Sequence, residues 1–508
     1  MYSGLSYTPL VLDKHGNTAS ERIQFKSKKC KKSRRKKLKA YISEDKQELS
    51  VDDLLKTNEN KIILVGKPGI GKTTAACQML KLWGERDNKD LDYMFYFDMR
   101  EMPCITNPMS LEDLLFVFSE PDEGKEEVLG DIKKNSENVT IIFDGVTGLT
   151  SASVMHRLVN EDLLPGAKII ITCRPEVEAE ILNWASLRVE VKGFSTKSIR
   201  AYLGMLLNAE KLSNILNNVE LFSLCHVPVY ALMVVACFSF TNSMVPQQEK
   251  KFPCTVTEIC INILSRCISL DNRLHSEQIF ALAKAACQAT EGKSLNLTEL
   301  SSESSSVCSA FLNTLKVKVS PAVRKNYSAF LHYIIQEFFT ALWFLKNPEK
   351  IADLLQQCYT EEKKHMKHVI LFVCGLCNEN NLDLLKCVVP DQQVKGISKT
   401  FIRDMVTTFL STPLNQDQDD TDDNKILFLC QCLYESQSTE VDCLHFLDKL
   451  EHCLDLSEEH LDPHHYCAVS YVISQSKERK INLMLEDTVS EQGLRLILGC
   501  LENVQLDR

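Results

Sequence analysis

The feature that most constrains this fold is a glycine-rich stretch between an aliphatic segment and a helical one. Residues 61–83 read KIILVGKPGIGKTTAACQMLKLW, with glycines at 66, 69 and 71. Glycine lets the backbone curl until successive N–H groups point at one centre, and the following helix adds the positive end of its dipole. A strand, an anion-binding loop and a helix in this order predict an α/β domain built around a phosphate site.

The loop is predicted to be a P-loop that binds a nucleoside triphosphate or diphosphate with Mg²⁺. Lys72 is expected to reach the β- and γ-phosphates, and the Thr73 hydroxyl is expected to ligate Mg²⁺. The residues predicted to contact the nucleotide in this stretch are Gly66, Lys67, Pro68, Gly69, Ile70, Gly71, Lys72, Thr73 and Thr74.

Two later strand ends are predicted to complete the site. A P-loop magnesium ion needs a carboxylate opposite the hydroxyl, and Asp144 directly follows the apolar run Val139–Phe143. The alternative, a surface acid that ends an unrelated strand, stays open at this point. Arg174 comes just after the run Lys168–Thr172, and an arginine at the carboxyl end of a strand can reach a γ-phosphate in this topology.

Short apolar runs alternate with amphipathic stretches in this part of the chain. The runs are Ile62–Val65, Tyr93–Phe97, Val139–Phe143 and Lys168–Thr172. Runs of this length with helical flanks are typical of buried parallel strands. The predicted fold class is an α/β P-loop NTPase domain with a doubly wound parallel sheet. Tyr7–Leu12 has the composition of a further short strand.

Beyond about Phe194 the apolar residues recur at helical spacing, so the second half is predicted to be mainly α-helical. Val227–Phe240 is interpreted as a buried helix, because Pro228 interrupts it and it is too short to span a membrane. The other helical segments are Ile199–Leu207, Val256–Ile268, Ser276–Ala289 and Ala329–Leu345, with joints expected at Pro253, Ser301–Ser306, Pro348 and the acidic stretch Asp417–Asp423.

Leucines repeat with a fixed period near the end of the chain. Leu454, Leu456 and Leu461 are echoed by Leu483 and Leu485, a period near 29. That spacing is typical of leucine-rich repeats, which alternate a short strand with a helix. An ordinary pair of amphipathic helices remains the alternative.

Charge is distributed unevenly. The net charge is −10, and Lys26–Lys39 holds ten Lys or Arg and no acid, which leaves −10 − 10 = −20 for the other residues. Such a run repels itself and is predicted to form a flexible arm that can bind nucleic acid, anionic lipid or a nuclear import receptor. A merely solvated tail is the alternative.

The chain has 21 cysteines, which are scattered through helix-like segments, and no secretory signal is read in Met1–Leu10. We therefore expect reduced thiols in the cytosol or nucleus and no disulfide framework. Cys374 and Cys377 form an isolated CxxC without a second ligand pair, so they are interpreted as core residues and not as a metal site.

Several motifs together resemble those of NOD-like receptors. The P-loop is followed by FDG at Phe143–Gly145, LPGAKIIITCRP at Leu164–Pro175 and GFS at Gly193–Ser195, in the order and spacing of a NACHT domain. LCHVP at Leu224–Pro228 and FLHYIIQEFFTALWFL at Phe330–Leu345 continue the likeness, the latter resembling the winged-helix signature. The resemblance covers roughly residues 54–501.

The resemblance implies roles for two further residues. Pro228 would lie against the adenine, and His332 would contact the β-phosphate of bound ADP and hold a closed state. The second acidic strand of the family usually continues as DGxDE, whereas here Val146, Thr147 and Gly148 follow Gly145. Both later carboxylates are missing, so nucleotide binding is expected while hydrolysis is expected to be weak or absent.

The predicted organisation follows from the same resemblance. The expected segments are a basic N-terminal arm at 1–50, a NACHT domain at 51–193, helical domain 1 at 194–252, a winged-helix domain at 253–345, helical domain 2 at 346–453 and the start of leucine-rich repeats at 454–508.

The predicted function is a nucleotide-dependent switch that controls self-oligomerisation and innate immune signalling through protein partners in the cytoplasm. Two alternatives remain. An active ATPase would need another residue, such as Glu161 or Asp162, to replace the missing acids. A nuclear transcriptional coregulator, resembling the class II transactivator branch, would use the basic arm for nuclear import.

Overall fold

The structure is a computed structural model of the 508-residue chain. It describes residues 7–16, 49–86, 93–102, 110–116, 124–147, 153–239, 252–270, 276–292, 296–297, 311–320, 323–358, 363–381, 385, 391–411, 425–457, 461–477, 479–485 and 491–505. The basic run Lys26–Lys39, the stretch Ser301–Ser306 and the acidic stretch Asp417–Asp423 lie outside the described residues.

The first part of the chain alternates strands with helices. The strands are β1 Val11–Gly16, β2 Lys61–Val65, β3 Tyr93–Asp98, β4 Val139–Val146, β5 Lys168–Cys173 and β6 Leu187–Gly193. The helices are α1 Val51–Lys56, α2 Lys72–Gly84, α3 Leu111–Leu115, α4 Lys125–Lys134, α5 Val154–Val159 and α6 Pro175–Ile181.

These strands form one sheet in the order β1-β6-β2-β5-β4-β3. Strands β2 to β6 pair in parallel, and β1 pairs antiparallel with β6. Alternate residues of β2 enter two separate cores: Ile62 and Leu64 belong to one, Ile63 and Val65 to the other. Because apolar side chains are buried on both faces, the sheet has the doubly wound α/β architecture that the sequence predicts.

The two strands at one side of the sheet were predicted less well than its centre. β6 was not predicted, because its residues alternate between buried and half-buried, and arginine, glutamate and lysine interrupt the apolar run. β1 begins at Val11, so most of the predicted strand Tyr7–Leu12 precedes it. β6 lies inside the sheet, between β1 and β2, and its alternating pattern gives a weaker signal than a continuous apolar run.

The middle of the chain is mainly helical. Its helices are α7 Thr196–Leu206, α8 Ala209–Asn217, α9 Val219–Leu224, α10 Pro228–Ser239, α11 Val256–Leu270, α12 Ser276–Glu291, α13 Tyr333–Lys346, α14 Ile351–Gln357, α15 Lys367–Leu376, α16 Asp391–Ser411, α17 Lys425–Glu435 and α18 Glu440–Lys449. The strands β7 Asn296–Leu297, β8 Leu312–Ser320 and β9 Val323–Phe330 form a small antiparallel sheet.

The prediction of one helix over Ala329–Leu345 was wrong at its start. Ala329 and Phe330 end strand β9, where Ala329 pairs with Asn296 and with Asn313, and the helix begins only at Tyr333. Both residues are buried in the strand, and their apolar side chains extend the helical spacing of α13 backwards. The period alone therefore could not locate the boundary.

The last part of the chain alternates strands and helices again. Its elements are β10 Cys453–Leu456, α19 Pro463–Ser474, β11 Ile481–Leu485, α20 Glu491–Leu498 and β12 Val504–Gln505, and the three strands pair in parallel. Leu454 pairs with Leu483 and Leu456 with Leu485, so the repeated leucines occupy equivalent positions of successive strands. We call the unit from β10 to the end of α19 the first repeat.

The described cysteines form no disulfide, and most of them are buried. Cys374 and Cys377 lie inside and at the end of α15, both in the core, as the sequence predicts. The described residues contain no group of three or more potential metal-ligating side chains. Among the helices that the structure describes, none has both the length and the apolarity needed to cross a membrane.

Candidate nucleotide-binding site

The predicted P-loop connects β2 to α2 at the carboxyl end of the sheet. Gly66 donates its N–H to the Cys173 carbonyl at the end of β5, over 3.3 Å, which ties the start of the loop to the neighbouring strand. Gly69 and Gly71 have φ of 75° and 109°, in the left-handed region that glycine adopts most readily. The loop therefore has the tight curvature that a phosphate-binding turn requires.

The loop is also enclosed by other segments. A Cβ on Gly69 would lie 2.2 Å from Val229 Cγ1, and one on Gly71 would lie 2.8 Å from Leu10 Cδ1. Leu10 belongs to the segment that leads into β1, and Val229 lies at the start of α10. A larger residue at either glycine would push these covering segments away.

Helix α2 begins without a side-chain cap. Its N-cap is Gly71, which has no side chain to accept from the first N–H groups, and its first turn contains no acid. Several other helices of the chain begin with a capping serine, namely α1, α3, α5 and α7, at Ser50, Ser110, Ser153 and Ser195. The first N–H groups of α2 are thus left for an anion, and Thr73 and Thr74 are exposed there.

The Lys72 side chain folds back onto the start of the loop. Its ammonium donates to the carbonyl of Gly66 and, over 3.0 Å, to the carbonyl of Lys67. Pro68 is half-buried between them and Gly69, whereas the Ile70 side chain is buried in the core beneath the loop. The Lys72 ammonium thus lies among the backbone carbonyls of the loop.

Asp144 is a buried residue near the end of β4, with 3% of its surface exposed. Thr172 donates its hydroxyl to Asp144 Oδ1 over 2.6 Å, and Tyr96 donates its hydroxyl to Asp144 Oδ2 over 3.0 Å. The same Thr172 oxygen accepts the Gly145 N–H at 2.8 Å. Two hydroxyl donors thus fix the carboxylate in place, and the surface-acid alternative does not describe it.

Sequence reasoning missed the partners of Asp144 and a second acid beside it. Asp98 ends β3 directly opposite Asp144 and binds the Arg100 guanidinium in a bidentate ion pair. The hydrogen bond to Asp98 raises the pKa of Arg100. This effect outweighs burial, which favours the neutral form of the guanidinium. Asp98 could have been found by the strand-end rule that found Asp144, because it follows the run Tyr93–Phe97 in the same way.

Arg174 follows β5 and reaches a distant part of the chain. Its guanidinium carbon lies 4.2 Å from the centre of the Tyr333 ring, within the range of a cation–π interaction. Tyr333 is the first residue of α13. The strand-end arginine therefore contacts the segment that carries the winged-helix resemblance.

Pro228 begins α10, and the next residue binds the P-loop. Val229 donates its N–H to the Gly69 carbonyl at 3.3 Å. Phe194 donates its N–H to the His226 carbonyl at 2.8 Å, which holds the segment before Pro228 against the end of β6. The structure thus places Pro228 directly before a residue that binds the P-loop, and its contact with the adenine stays a prediction.

His332 is the N-cap of α13, and its Nδ1 accepts the Ile334 N–H at 3.2 Å. Its Cε1 lies 3.3 Å from the position that a Cβ on Gly69 would take, so the ring meets the P-loop directly. Burial, together with the charges of Arg174 and Lys72, lowers the pKa of His332 to about 3. The ring is therefore neutral, and because Nδ1 accepts a bond, its proton resides on Nε2.

Lys67 has a partner that the sequence did not indicate. Its ammonium lies 3.0 Å from Asp462 Oδ2 and 3.2 Å from His465 Nε2, at the start of α19. Asp462 is 395 residues further along the chain, so no local pattern could reveal the pair. The backbone of Lys67 remains part of the loop, since its carbonyl accepts from Lys72.

The residues present fit a nucleotide with a magnesium ion. Burial and the charges of Arg174, Lys72 and Arg100 lower the pKa of His332, so its ring is a neutral N–H donor beside the P-loop. The Thr73 hydroxyl and the Asp144 carboxylate are oxygen donors of the kind that Mg²⁺ prefers. In addition, the Thr8 hydroxyl, two residues before Leu10, is buried without a hydrogen-bond partner among the described residues.

Comparisons with known families match two regions of the chain. Residues 60–210 match the NACHT domain family, and residues 332–441 match the helical domain HD2 of NLRC4. The first region contains the P-loop, Asp144 and Arg174, and the second begins at His332.

Relatives with curated descriptions match most of the chain. Protein NLRC5 of Ictalurus punctatus is 26% identical over 498 residues, which covers 84% of this chain and 28% of that protein. Protein NLRC5 of Homo sapiens is 24% identical over 436 residues, covering 78% of this chain and 23% of that protein. Nucleotide-binding oligomerization domain-containing protein 1 of Homo sapiens is 22% identical over 563 residues, covering 90% of this chain and 57% of that protein.

The chain thus spans about a quarter of the length of the two NLRC5 relatives. Among solved structures, a signal transduction ATPase with numerous domains from Pyrococcus horikoshii, which has a tetratricopeptide repeat sensor, matches with a TM-score of 0.30 and 11% identity. That match covers 92% of this chain and 71% of the other. On the two family matches and the curated relatives, the chain belongs to the NOD-like receptor family, and its P-loop lies in a nucleotide-binding NACHT domain.

Proposed function

We propose that this chain is a nucleotide-dependent regulatory switch that binds ATP or ADP with Mg²⁺ and thereby controls its own oligomerisation. The observation that carries the proposal is the meeting of three distant segments at Gly69. The Gly69 carbonyl accepts from Val229, and the His332 ring packs against the same residue. A ligand in this loop would contact all three segments, so the phosphate that it carries can bias how they pack.

The proposal assigns an individual role to each residue, supported by the contacts above and by the family resemblance. Lys72 and the first N–H groups of α2 bind the β-phosphate, and Thr73 and Asp144 hold Mg²⁺. The neutral His332 donates its Nε2–H to a phosphate of ADP, Pro228 packs against the base, and Arg174 detects the terminal phosphate. Because Arg174 stacks on Tyr333 in this structure, binding a γ-phosphate would compete with that contact.

A switch of this kind must satisfy an energetic condition. The two nucleotides have to differ in their affinity for the closed and open arrangements by several kcal/mol, on the order of 5 for a nearly complete shift. Two local changes would favour the open arrangement. One is the loss of the Arg174–Tyr333 cation–π contact, and the other is the loss of the proposed hydrogen bond from His332 to ADP.

The wider role is proposed on the family membership. A relative named for nucleotide binding and oligomerisation matches 90% of this chain. We propose the predicted organisation, from the NACHT domain at 51–193 to leucine-rich repeats from 454, together with innate immune signalling through protein partners in the cytoplasm. The nuclear coregulator remains the alternative, and a fluorescent fusion with and without residues 26–39 distinguishes the two.

The direct test is mass spectrometry of the nucleotide released from purified, denatured protein. We expect about one adenine nucleotide per chain, mainly ADP. Purified protein that carries no nucleotide and binds neither ATP nor ADP in a titration with Mg²⁺ would refute the proposal.

A further inference from the structure

A second contact between distant parts of the chain lies on the other side of the P-loop. Lys67 Nζ is 3.0 Å from Asp462 Oδ2, in an ion pair whose lysine is half exposed and whose carboxylate is 20% exposed. Asp462 immediately precedes α19, the helix of the first repeat. The P-loop is therefore joined by charge to the part of the chain that follows β10.

Asp462 has two functions at this point. Its Oδ1 accepts the His465 N–H at 2.9 Å and caps α19, while its Oδ2 faces Lys67. The buried His226, from the segment that packs on β6, places its Nε2 3.7 Å from the same Oδ2. Although burial disfavours its charge, His465 and Lys67 hold the pKa of the Asp462 carboxyl well below its usual range. The group is charged at neutral pH.

The pair also has a direct route to the phosphate-binding lysine. The carbonyl of Lys67 accepts the Lys72 ammonium at 3.0 Å, so a displacement of Lys67 moves an acceptor of Lys72. Val229 and His332 hold Gly69 from the opposite side of the loop. Lys67 is thus the point at which the first repeat contacts the loop.

We propose that the ion pair between Lys67 and Asp462 couples the nucleotide site to the first repeat, which holds the P-loop closed and slows nucleotide release. This inference rests on the proposed nucleotide binding. Coupling between two sites is reciprocal, so bound nucleotide also holds α19 against the loop. Movement of the first repeat, for example when a partner binds to it, would open the loop without touching the nucleotide.

The experiment separates the ion pair from the helix cap. Asn is as good an N-cap as Asp, so Asp462→Asn keeps the cap and removes the charge that faces Lys67. Asp448→Asn is the matched control, because Asp448 forms its ion pairs with Arg479 and His452. Full-length protein loaded with fluorescent mant-ADP is mixed with excess unlabelled ADP, and the release rate is measured by stopped flow.

We expect Asp462→Asn to release mant-ADP about fivefold faster than the wild type, and Asp448→Asn to release it at the wild-type rate. Equal release rates for all three proteins would overturn the inference while leaving nucleotide binding intact. If the wild type binds no mant-ADP, the proposed function fails, and hydrogen exchange of the amides of residues 66–73 decides instead. Asp462→Asn should then exchange faster than Asp448→Asn in that loop, and equal exchange would overturn the coupling.

Discussion

Lys72 is the side chain on which the candidate nucleotide site depends most. Its ammonium lies among the loop carbonyls at the start of α2, where it can neutralise phosphate charge that the backbone amides only partly offset. We expect Lys72→Ala to abolish nucleotide retention and to weaken ADP binding by about 100-fold or more. Isothermal titration and chromatography of released nucleotide measure the change.

Lys81 provides the control for that substitution, since it lies on the same helix, with its side chain exposed and paired with Glu85. Lys81→Ala should bind ADP like the wild type. Wild-type nucleotide occupancy in Lys72→Ala would show that the P-loop is not the nucleotide site.

His332 is predicted to hold the closed arrangement through one neutral N–H group. Its Nδ1 is committed to the Ile334 N–H, so a variant must separate the cap of α13 from contact with the nucleotide. His332→Ser keeps a capping oxygen but is too short to reach a phosphate, whereas His332→Leu loses both functions.

We expect both His332 variants to release ADP faster, by about tenfold, because each loses a hydrogen bond to a charged group. With the pKa of His332 at about 3, the wild-type release rate should not change through this group between about pH 6 and about pH 8. If both variants release ADP and oligomerise like the wild type, His332 has only a packing role.

Turnover is predicted to be very slow, because the positions after Val146 carry no charge. Asp144 is well fixed by Thr172 and Tyr96, but Thr147 and Gly148 cannot orient an attacking water. The missing carboxylates should lower the rate by a factor on the order of 10²–10⁴ while affecting binding much less. Phosphate release in the presence of Mg²⁺ and ATP measures the rate.

Restoring the acids tests the reason for slow turnover. Thr147→Asp together with Gly148→Glu should raise hydrolysis without tightening ATP binding greatly, although Gly148 lies outside the described residues. Brisk hydrolysis by the unmodified protein, lost in Lys72→Ala, would show instead that another residue orients the water.

The residues of the site divide according to how local their signals are. The P-loop glycines, Lys72 and Asp144 could be predicted because each belongs to one continuous strand and its adjoining loop. Thr172 and Tyr96 could not, since their role depends on strand order: β5 and β3 flank β4 and place a hydroxyl on each side of Asp144. The contact of Asp462 with Lys67 could not be predicted either, because it depends on how segments 395 residues apart pack together.

Among the elements, the central strands were predicted because apolar residues fill most consecutive positions of a strand buried on both faces. The hairpin of β8 and β9 was missed, because its strands carry many polar residues and its last two residues continue the helical spacing of α13. Repeated leucines were informative in the last sheet, where equal spacing follows directly from strand pairing.

The start of α11 is capped by a residue of another helix. Glu435, at the end of α17, accepts the Val256 N–H at 3.1 Å, the Thr257 N–H at 3.0 Å and the Thr257 hydroxyl at 2.6 Å. Burial raises its pKa from 4.5 to about 7 despite these bonds. Between about pH 4.5 and about pH 7, Glu435 therefore keeps its proton in the folded protein and loses it in the unfolded chain.

Because the folded pKa exceeds the unfolded one, stability should fall as the pH rises from about 4.5 to about 7, by up to about 3 kcal/mol. Glu435→Gln removes this titration, so its melting temperature should vary less than that of the wild type between about pH 5 and about pH 8. Glu440→Gln, at a residue that pairs with Lys477, is the control. Parallel curves for the wild type and Glu435→Gln would contradict the assignment.

For the molecule as a whole, the contacts at Gly69, Arg174 and Lys67 all join the P-loop domain to later parts of the chain. Breaking them together would expose the surfaces that they cover. We expect protein loaded with Mg²⁺ and a non-hydrolysable ATP analogue to form larger assemblies than protein loaded with ADP, measured by light scattering after gel filtration. Lys72→Ala should give the same mass with either nucleotide, and identical masses for the wild type would contradict the switch.

The antiparallel edge strand has a consequence for how the protein is made. Val11 pairs with Gly193, so β1 leaves the ribosome long before its partner β6 has been synthesised. At usual rates of translation the delay is on the order of ten seconds or more. During that time the apolar side chains of Leu10, Val11 and Leu12, which are buried in the finished protein, have no sheet to join. Until β6 has been made, this nascent segment therefore exposes apolar side chains of the kind that chaperones bind. Leu10 can cover Gly71 only after that.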